Sequence, residues 1–385
     1  MTSLEILGQF LFAALIAGSL VYSGLALVAV RRYLTAGRLK QPTFHEPVSI
    51  LKPLAGLDLG LESNLETFFT QNYFRKDGSP AFEILFAVRE PHDPAVTVVH
   101  MLQERYPEIP SRLFITGEPP YPNAKVYSLS KMLAEASYDL VVMSDSDIRV
   151  DRDMFAKVAA EFQDPEIGVA TCPYRAIAGP GLFSQLEATG MNTDFMAGIL
   201  VARMLEGMRF AVGPTIVARR RVLEDIGGMN RIKDYLAEDF VLGQFAAEEG
   251  HGVILSSYVV EHHIGSSDSF AHNAGHRLRW CRSTRRSRPA GYIGQIFMMP
   301  IPLALIATLL WPTWWPVLAV AAIVRFGVAF AVAHIVLEAP MRWWMVPIED
   351  IAGFLFWCAG FFGNTIEWRG RRYRLERDGR FSLIS

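Results

Sequence analysis

Residues 6–30 contain no charged side chain, and about 25 residues of helix at 1.5 Å each are enough to cross a hydrocarbon core of roughly 30 Å. Arg31, Arg32, Arg38 and Lys40 follow at once. The preference of basic flanks for the cytoplasm sets the end before the span outside and the domain after it in the cytosol. A cleaved signal peptide would carry a basic leading segment and a shorter apolar run, so residues 1–32 are read as a transmembrane anchor. Composition agrees: a chain of 385 residues that is 51% hydrophobic and only 20% charged is too apolar for an ordinary soluble enzyme. The formal net charge of −2 gives no support for nucleic-acid binding. Cys172, Cys281 and Cys358 lie far apart and suggest neither a zinc site nor a disulfide framework.

No comparable apolar run occurs over residues 41–290, which leaves about 250 residues for a cytosolic domain with its own core. Apolar sequence resumes at 293–311 and 315–337, preceded by Arg282, Arg285, Arg286 and Arg288, so two further spans are expected with a turn at Pro312. The stretch 343–362 contains Glu349 and Asp350 and leads to Arg369, Arg371, Arg372 and Arg374. If it spans, the basic tail lies outside against the charge rule; a re-entrant or interfacial segment keeps the tail cytosolic and is favoured. Glu349 and Asp350 are then expected to face water at the interface. The resulting division is an anchor (1–32), a cytosolic domain (41–290), a C-terminal membrane region (291–363) and a basic tail (364–385).

Within the soluble domain, β-rich or apolar runs at 47–51, 82–88, 113–115 and 140–143 alternate with helical patterns at 61–70, 95–106 and 129–136. This order predicts an α/β fold whose mostly parallel sheet is flanked by helices. Ligands of such sheets bind beyond the carboxyl ends of the strands. Two polar sets stand there: Asp93, shortly after one run, and Ser144-Asp145-Ser146-Asp147, directly after another.

Asp145 and Asp147 emerge together from a buried strand, an arrangement suited to Mg²⁺ or Mn²⁺ presenting a diphosphate. An acidic pair in a solvated loop would read the same way without the strand before it. Glu238-Asp239 opens an apolar-patterned stretch, where carboxylates favour a helix N-terminus or supply a general base. His276-Arg277-Leu278-Arg279-Trp280 precedes the membrane region; it reads either as a basic membrane-surface helix or as a guanidinium and indole that meet a departing diphosphate and its sugar. His262-His263 has no spaced acidic partner in sequence and reads as structural or solvated. Met191, Met196, Met204 and Met208 fit core packing better than a lipid channel.

Taken in order, these segments resemble the ceramide glucosyltransferase family of inverting glycosyltransferases over nearly the whole chain. The resemblance rests on Lys52-Pro53-Leu54, the stretch from Asn64 to Phe69, Asp93-Pro94-Ala95, Asn123-Ala124-Lys125-Val126, Asp145-Ser146-Asp147, Ala237-Glu238-Asp239-Phe240, Arg279-Trp280 and the tail from Asn364 to Leu375. It implies a glycosyltransferase A-type fold, UDP-glucose as donor, a divalent metal (Mn²⁺ or Mg²⁺) and a sphingoid lipid acceptor. By the same resemblance Asp93 and Asp145 contact the nucleotide, Asp147 and Asp145 hold the metal, Asp239 is the catalytic base, and Lys52, Lys125, Arg279 and Trp280 hold the donor. The family's Gln/Arg-x-x-Arg-Trp motif has His276 in its first position here, a departure; His276 and Glu238 stand as further donor or acceptor contacts. A member of bacterial type belongs in the inner membrane, with its catalytic domain toward the cytosol. Competing readings are transfer to a polycyclic lipid such as a hopanoid or to another lipid alcohol, with UDP-GlcNAc or another UDP-sugar as donor, and a membrane protein that binds nucleotide sugar or lipid without turnover; a processive polysaccharide synthase would need more membrane wall than three spans offer.

Overall fold

The strands predicted after the anchor form because their residues suit burial on both faces: the segments Val48–Pro53 (β1), Phe82–Val88 (β2) and Leu140–Ser144 (β4) are almost wholly buried. The structure, a computed structural model, describes residues 2–36, 46–265, 269–368 and 370–384. Arg38, Lys40 and Arg369 of the basic flanks lie outside the described residues. In chain order the first half comprises α1 (Ser3–Ala36), β1, α2 (Leu61–Phe69), β2, α3 (Ala95–Arg105), β3 (Ser111–Ile115), α4 (Ala124–Glu135), β4, β5 (Ile148–Arg149), α5 (Met154–Glu161), β6 (Ile167–Thr171), β7 (Tyr174–Ile177) and α6 (Leu182–Gly190). A π-helical segment, Met191–Phe195, leads into α7 (Met196–Glu206), β8 (Thr215–Arg219), α8 (Arg220–Asp225), α9 (Met229–Ile232), α10 (Glu238–Glu248), β9 (Gly252–Leu255), β10 (Val260–His263) and α11 (Phe270–Ser287). The remainder is α12 (Pro289–Gly294), α13 (Pro300–Leu310), α14 (Trp315–Ala329), α15 (Val346–Gly360), β11 (Thr365–Trp368), β12 (Arg371–Leu375) and β13 (Phe381–Leu383).

The central sheet has seven strands in the order β3-β2-β1-β4-β8-β6-β9. Neighbours run parallel except β8, which is antiparallel to both β4 and β6. Side chains alternate between the faces. Ile50, Ile84 and Val142 enter the core that also holds Phe68, Val99 and Phe155, while Leu51, Leu85 and Val141 enter the one that holds Val126, Leu129 and Leu242. The parallel strands β1, β2 and β4 end on one edge, so the loops carrying Asp93 and Asp145 emerge from the same edge on either side of β1.

Among the described residues two helices are long and apolar enough to cross a membrane, Ser3–Ala36 and Pro312–Val336, and a third crossing exists if the pair Pro289–Met298 and Pro300–Leu310 counts as one span. That pair is bent by 62°, where an unbroken span was expected. Pro300 and Pro302 open the second half and lack the amide protons that would continue the first. The expectation for Glu349 and Asp350 also needs correcting. Both are buried, at 3% and 2% exposure, and do not face water. Arg277 Nη1 donates to Glu349 Oε2 at 2.9 Å, and Arg325 Nε and Nη2 donate to Asp350 at 2.9 and 2.7 Å. Buried carboxylates persist only with such partners; here they tie α15 to α11 and α14.

The tail folds back onto the soluble domain. Strands β11, β12 and β13 form their own antiparallel sheet, and Phe381 N donates to Asp234 O at 2.9 Å while Leu236 N donates to Gly379 O at 3.3 Å. The segment so gripped runs directly into α10. That helix is held on its other side by a close backbone approach: a Cβ on Gly243 would stand 2.3 Å from both Phe210 C and Ala211 N. Backbone on the facing side leaves no flexible atom to yield, so Gly243→Ala should cost about 1–3 kcal/mol by overpacking. Thermal unfolding in detergent is expected to show a clearly lowered midpoint; an unchanged midpoint would mean that α10 has room to move.

Candidate active site

Lys52 Nζ, at the end of β1, donates to Asp145 O at 2.5 Å and Ser144 Oγ at 3.3 Å, and sits 3.8 Å from the Phe68 ring centroid. Its side chain is wholly buried beneath the acidic loop, and burial pushes the ammonium down to about 7 against the pull of Asp145 and Asp147. Lys52 thus fixes the backbone that aims Asp145. The donor contact expected of it stands outside these bonds.

Asp93 accepts from Gly56 N at 3.0 Å and Ala95 N at 2.9 Å. It secures the loop after β1 to the start of α3. Ser146 Oγ donates to Asp58 Oδ2 in that same loop, so three strand-end loops are fastened into one rim.

Asn123 caps α4 by accepting from Val126 N at 3.1 Å. Within the first turn, Lys125 Nζ lies 2.7 Å from Asp145 Oδ1 and 3.1 Å from Glu238 Oε1. Asn123 Nδ2 adds bonds to Glu238 Oε2 at 3.2 Å and to Tyr235 O at 2.9 Å. Acidic groups distant in sequence are joined through one ammonium. Burial works to lower the Lys125 value, but the charges of Asp145 and Glu238 outweigh it and hold the group above its ordinary range.

Asp239 follows Glu238 in the first turn of α10, where the helix dipole favours carboxylates, as the helix-terminus reading expects. Burial, then the neighbouring Glu238 charge, pushes the Asp239 carboxyl up to about 7. Gly213 makes room for it: a Cβ there would stand 2.9 Å from Asp239 Oδ2.

Asp147 meets a residue that sequence spacing did not connect to it. His262 Nε2 lies 3.1 Å from Asp147 Oδ2, brought there by the antiparallel pairing of β10 with β5. Burial would raise the Asp147 carboxyl, but the His262 charge and hydrogen bond hold it below the usual carboxylate range. For Asp145 burial prevails and raises the value, despite Lys125. Asp147 Oδ1 is buried without a hydrogen-bond partner, which is an oxygen available to a cation. Among the described residues no group of three His, Cys, Asp or Glu side chains is spaced to hold a metal. The two aspartates therefore fit a Mg²⁺ or Mn²⁺ whose other positions are taken by phosphate oxygens and water.

On α11, His276 Nδ1 lies 2.8 Å from Glu187 Oε1, and its ring is 4.9 Å from that of Trp280. Asn273 Nδ2 donates to the other Glu187 oxygen at 2.8 Å. Glu187 is a residue the sequence gave no reason to single out, since its partners lie most of a domain away. Trp280 packs 6.2 Å from Phe195, Phe195 lies 5.6 Å from Tyr174, and Tyr174 lies 5.4 Å from His262. Arg279 is partly buried on the same helix. The four methionines divide as packing predicts: Met191 and Met196 are core residues, and Met204 and Met208 pack against core clusters.

A mixed α/β sheet with an Asp-x-Asp loop at its carboxyl edge and acidic residues opening a following helix defines a glycosyltransferase fold of the A type. A mannosyltransferase from Pyrobaculum calidifontis, solved in complex with GDP-Man and Mn²⁺, shares it with a TM-score of 0.56 at 18% identity, covering 91% of this chain and 96% of that one. The chain belongs to glycosyl transferase family 21, whose sequence profile matches residues 11–381. Ceramide glucosyltransferase 1 of Caenorhabditis elegans is 30% identical over 213 residues, 55% of this chain and 44% of its own length. Ceramide glucosyltransferase 3 of the same organism is 28% identical over 229 residues, 59% of this chain and 48% of its own length. The aligned part spans about half the length of these curated relatives.

Replacing Lys125 by methionine leaves Asp145 and Glu238 facing one another without their shared cation, a loss of about 3 kcal/mol for a mostly buried pair. Unfolding of Lys125→Met is expected at a lower temperature, with UDP binding in the presence of Mn²⁺ weakened at least tenfold. Unaltered UDP affinity would remove Lys125 from the donor site.

Proposed function

We propose that the protein is a membrane-bound inverting glycosyltransferase that moves glucose from UDP-glucose to the primary hydroxyl of ceramide, forming glucosylceramide. The observation that carries this reading is Asp239, a carboxyl raised to about 7 and joined through Glu238 and Lys125 to the Asp-x-Asp loop. The names of the two nematode relatives favour ceramide and glucose over other lipid alcohols and sugars.

In this mechanism Asp239 accepts the proton of the lipid hydroxyl as that oxygen bonds to the anomeric carbon of the sugar. The bond from the anomeric carbon to the diphosphate oxygen breaks, and UDP leaves with both electrons. Asp145 and Asp147 would hold a divalent metal, which when bound stabilises negative charge on the diphosphate. Lys125 supplies a fixed positive charge between donor and base, while Lys52 and His262 hold Asp145 and Asp147 in place. Asp93 secures the rim expected to receive the nucleotide, and Arg279 and Trp280 approach the sugar from α11.

The proposed membrane arrangement follows from the tail. Its hydrogen bonds to the segment Asp234–Leu236 put tail and soluble domain on one side, so an even number of crossings separates α11 from β11. The bent pair and the helix Pro312–Val336 supply two, and α15, with 15 residues, lies along the interface. Basic flanks set that side in the cytosol, of a bacterial inner membrane in this reading.

Purified protein should release UDP from UDP-glucose with Mn²⁺ or Mg²⁺ only when ceramide is present, and Asp239→Asn should abolish transfer while retaining UDP affinity. Ceramide-independent behaviour would set the acceptor assignment aside, and near-normal turnover in the variant would set the base aside. The pH dependence has a defined sign. A base must be ionised, so kcat should fall about tenfold per pH unit below about 7 and level off above it; a rate that rises toward acid pH would contradict the assignment.

A further inference from the structure

A small cleft lies where α1, the π-helical segment Met191–Phe195 with α7, and α14 meet, close to the break after Met298. Tyr22, Ser23, Asp194, Met298, Arg325 and Val328 are among its lining residues. Its space of about 10 Å³ is that of one water-sized group. Charge at such a depth among apolar helices is expensive and marks function by default.

The charges here are not balanced one to one. Arg325 is 2% exposed. Its Nε and Nη2 donate to Asp350, which by itself gives the guanidinium a forked partner and joins α14 to α15. Asp194 is a second carboxylate on the same cation, 2.7 Å from Nη2, and its side chain remains 31% exposed. Nη1 is buried without a hydrogen-bond partner. A structural rivet between helices needs Asp350 alone; the cleft adds an accepting carboxylate and an unspent donor. The Arg277 and Glu349 pair is spent on itself.

Position links this cleft to the chemistry. The residue after Asp194 is Phe195, whose ring lies 6.2 Å from Trp280 and 5.6 Å from Tyr174, and Tyr174 abuts His262, the partner of Asp147. Two of the three elements that shape the cleft carry or adjoin π-helical turns: Met191–Phe195 is π-helical, and α14 continues into the π-helical segment Phe330–Val336. Such insertions are frequent at functional sites.

We propose that this cleft, with room for one water-sized group, takes a single hydroxyl of the lipid acceptor as it enters from the bilayer, that hydroxyl donating to Asp194 and accepting from Arg325 Nη1. The class of ligand is a lipid alcohol, whose hydroxyl is donor and acceptor at once. A lipid with no hydroxyl in its head, such as a fatty-acid methyl ester, lacks the pair. The inference rests on the reading of the protein as a lipid-directed glycosyltransferase.

The test is binding, measured apart from turnover. A short-chain fluorescent ceramide is titrated into full-length protein in nanodiscs, for the wild type, Asp194→Ala and Ser23→Thr; the last adds one methyl group to the cleft and removes no charge. Competition by unlabelled ceramide, a plain fatty alcohol and a fatty-acid methyl ester sorts the head chemistry. The expected result is at least tenfold weaker ceramide binding in both variants, displacement by the first two lipids and not by the third, and unchanged UDP affinity as the sign of an intact fold. Equal binding by all three proteins, or no binding by the wild type, overturns the proposal. Ceramide-dependent UDP release by the wild type, run in parallel, reports on the enzymatic reading by itself.

Discussion

The Lys125 ammonium is the group on which the site depends. Asp145 closes β4 and Glu238 opens α10, and each would repel the other and its own neighbour in a partly enclosed space. One cation 2.7 Å from the first and 3.1 Å from the second removes that repulsion. The cap at Asn123 fixes the helix that carries it, and the Asn123 amide also bonds Glu238. Strand edge, helix start and second acidic pair are thereby positioned as one unit, and Asp239 inherits its place from that unit. Its raised carboxyl value follows from the same crowding that Lys125 makes tolerable.

The same physics recurs at the membrane face. Carboxylates on α15 meet guanidinia from α11 and α14, and these pairs dock an apolar segment against its neighbours. The tail then returns to grip the segment before Glu238. Membrane region and active site are mechanically continuous: α15 holds α11, α11 carries His276, Arg279 and Trp280, and the tail that follows α15 holds the approach to Asp239.

Much of this was legible in the sequence because it is local. The apolar run of α1, the alternation of strands and helices, and polar residues directly after buried strands are read from neighbours along the chain, and β1, β2, β4 and α10 appear where those patterns set them. The members of the acidic site could be named for the same reason. Their pairing could not. His262 meets Asp147 only through strand pairing across 115 positions, and His276 finds Glu187 only when α11 packs on α6. Glu349 and Asp350 looked solvated because their guanidinium partners lie on other helices. The break at Pro300 was visible as a residue, yet a proline in an apolar run leaves the angle undetermined until the two halves find separate contacts.

In the proposed mechanism, a single base on one side of the sugar and a diphosphate leaving group held by the other acidic loop imply direct displacement, with the configuration at the anomeric carbon reversed. The decisive measurement is the anomeric proton coupling, by NMR, of the glycolipid formed from an α-linked UDP-sugar. A large coupling, diagnostic of a β-linked product, is expected; a small coupling, showing an α-linked product and hence retention, would contradict the assignment of Asp239 as the base of a single displacement.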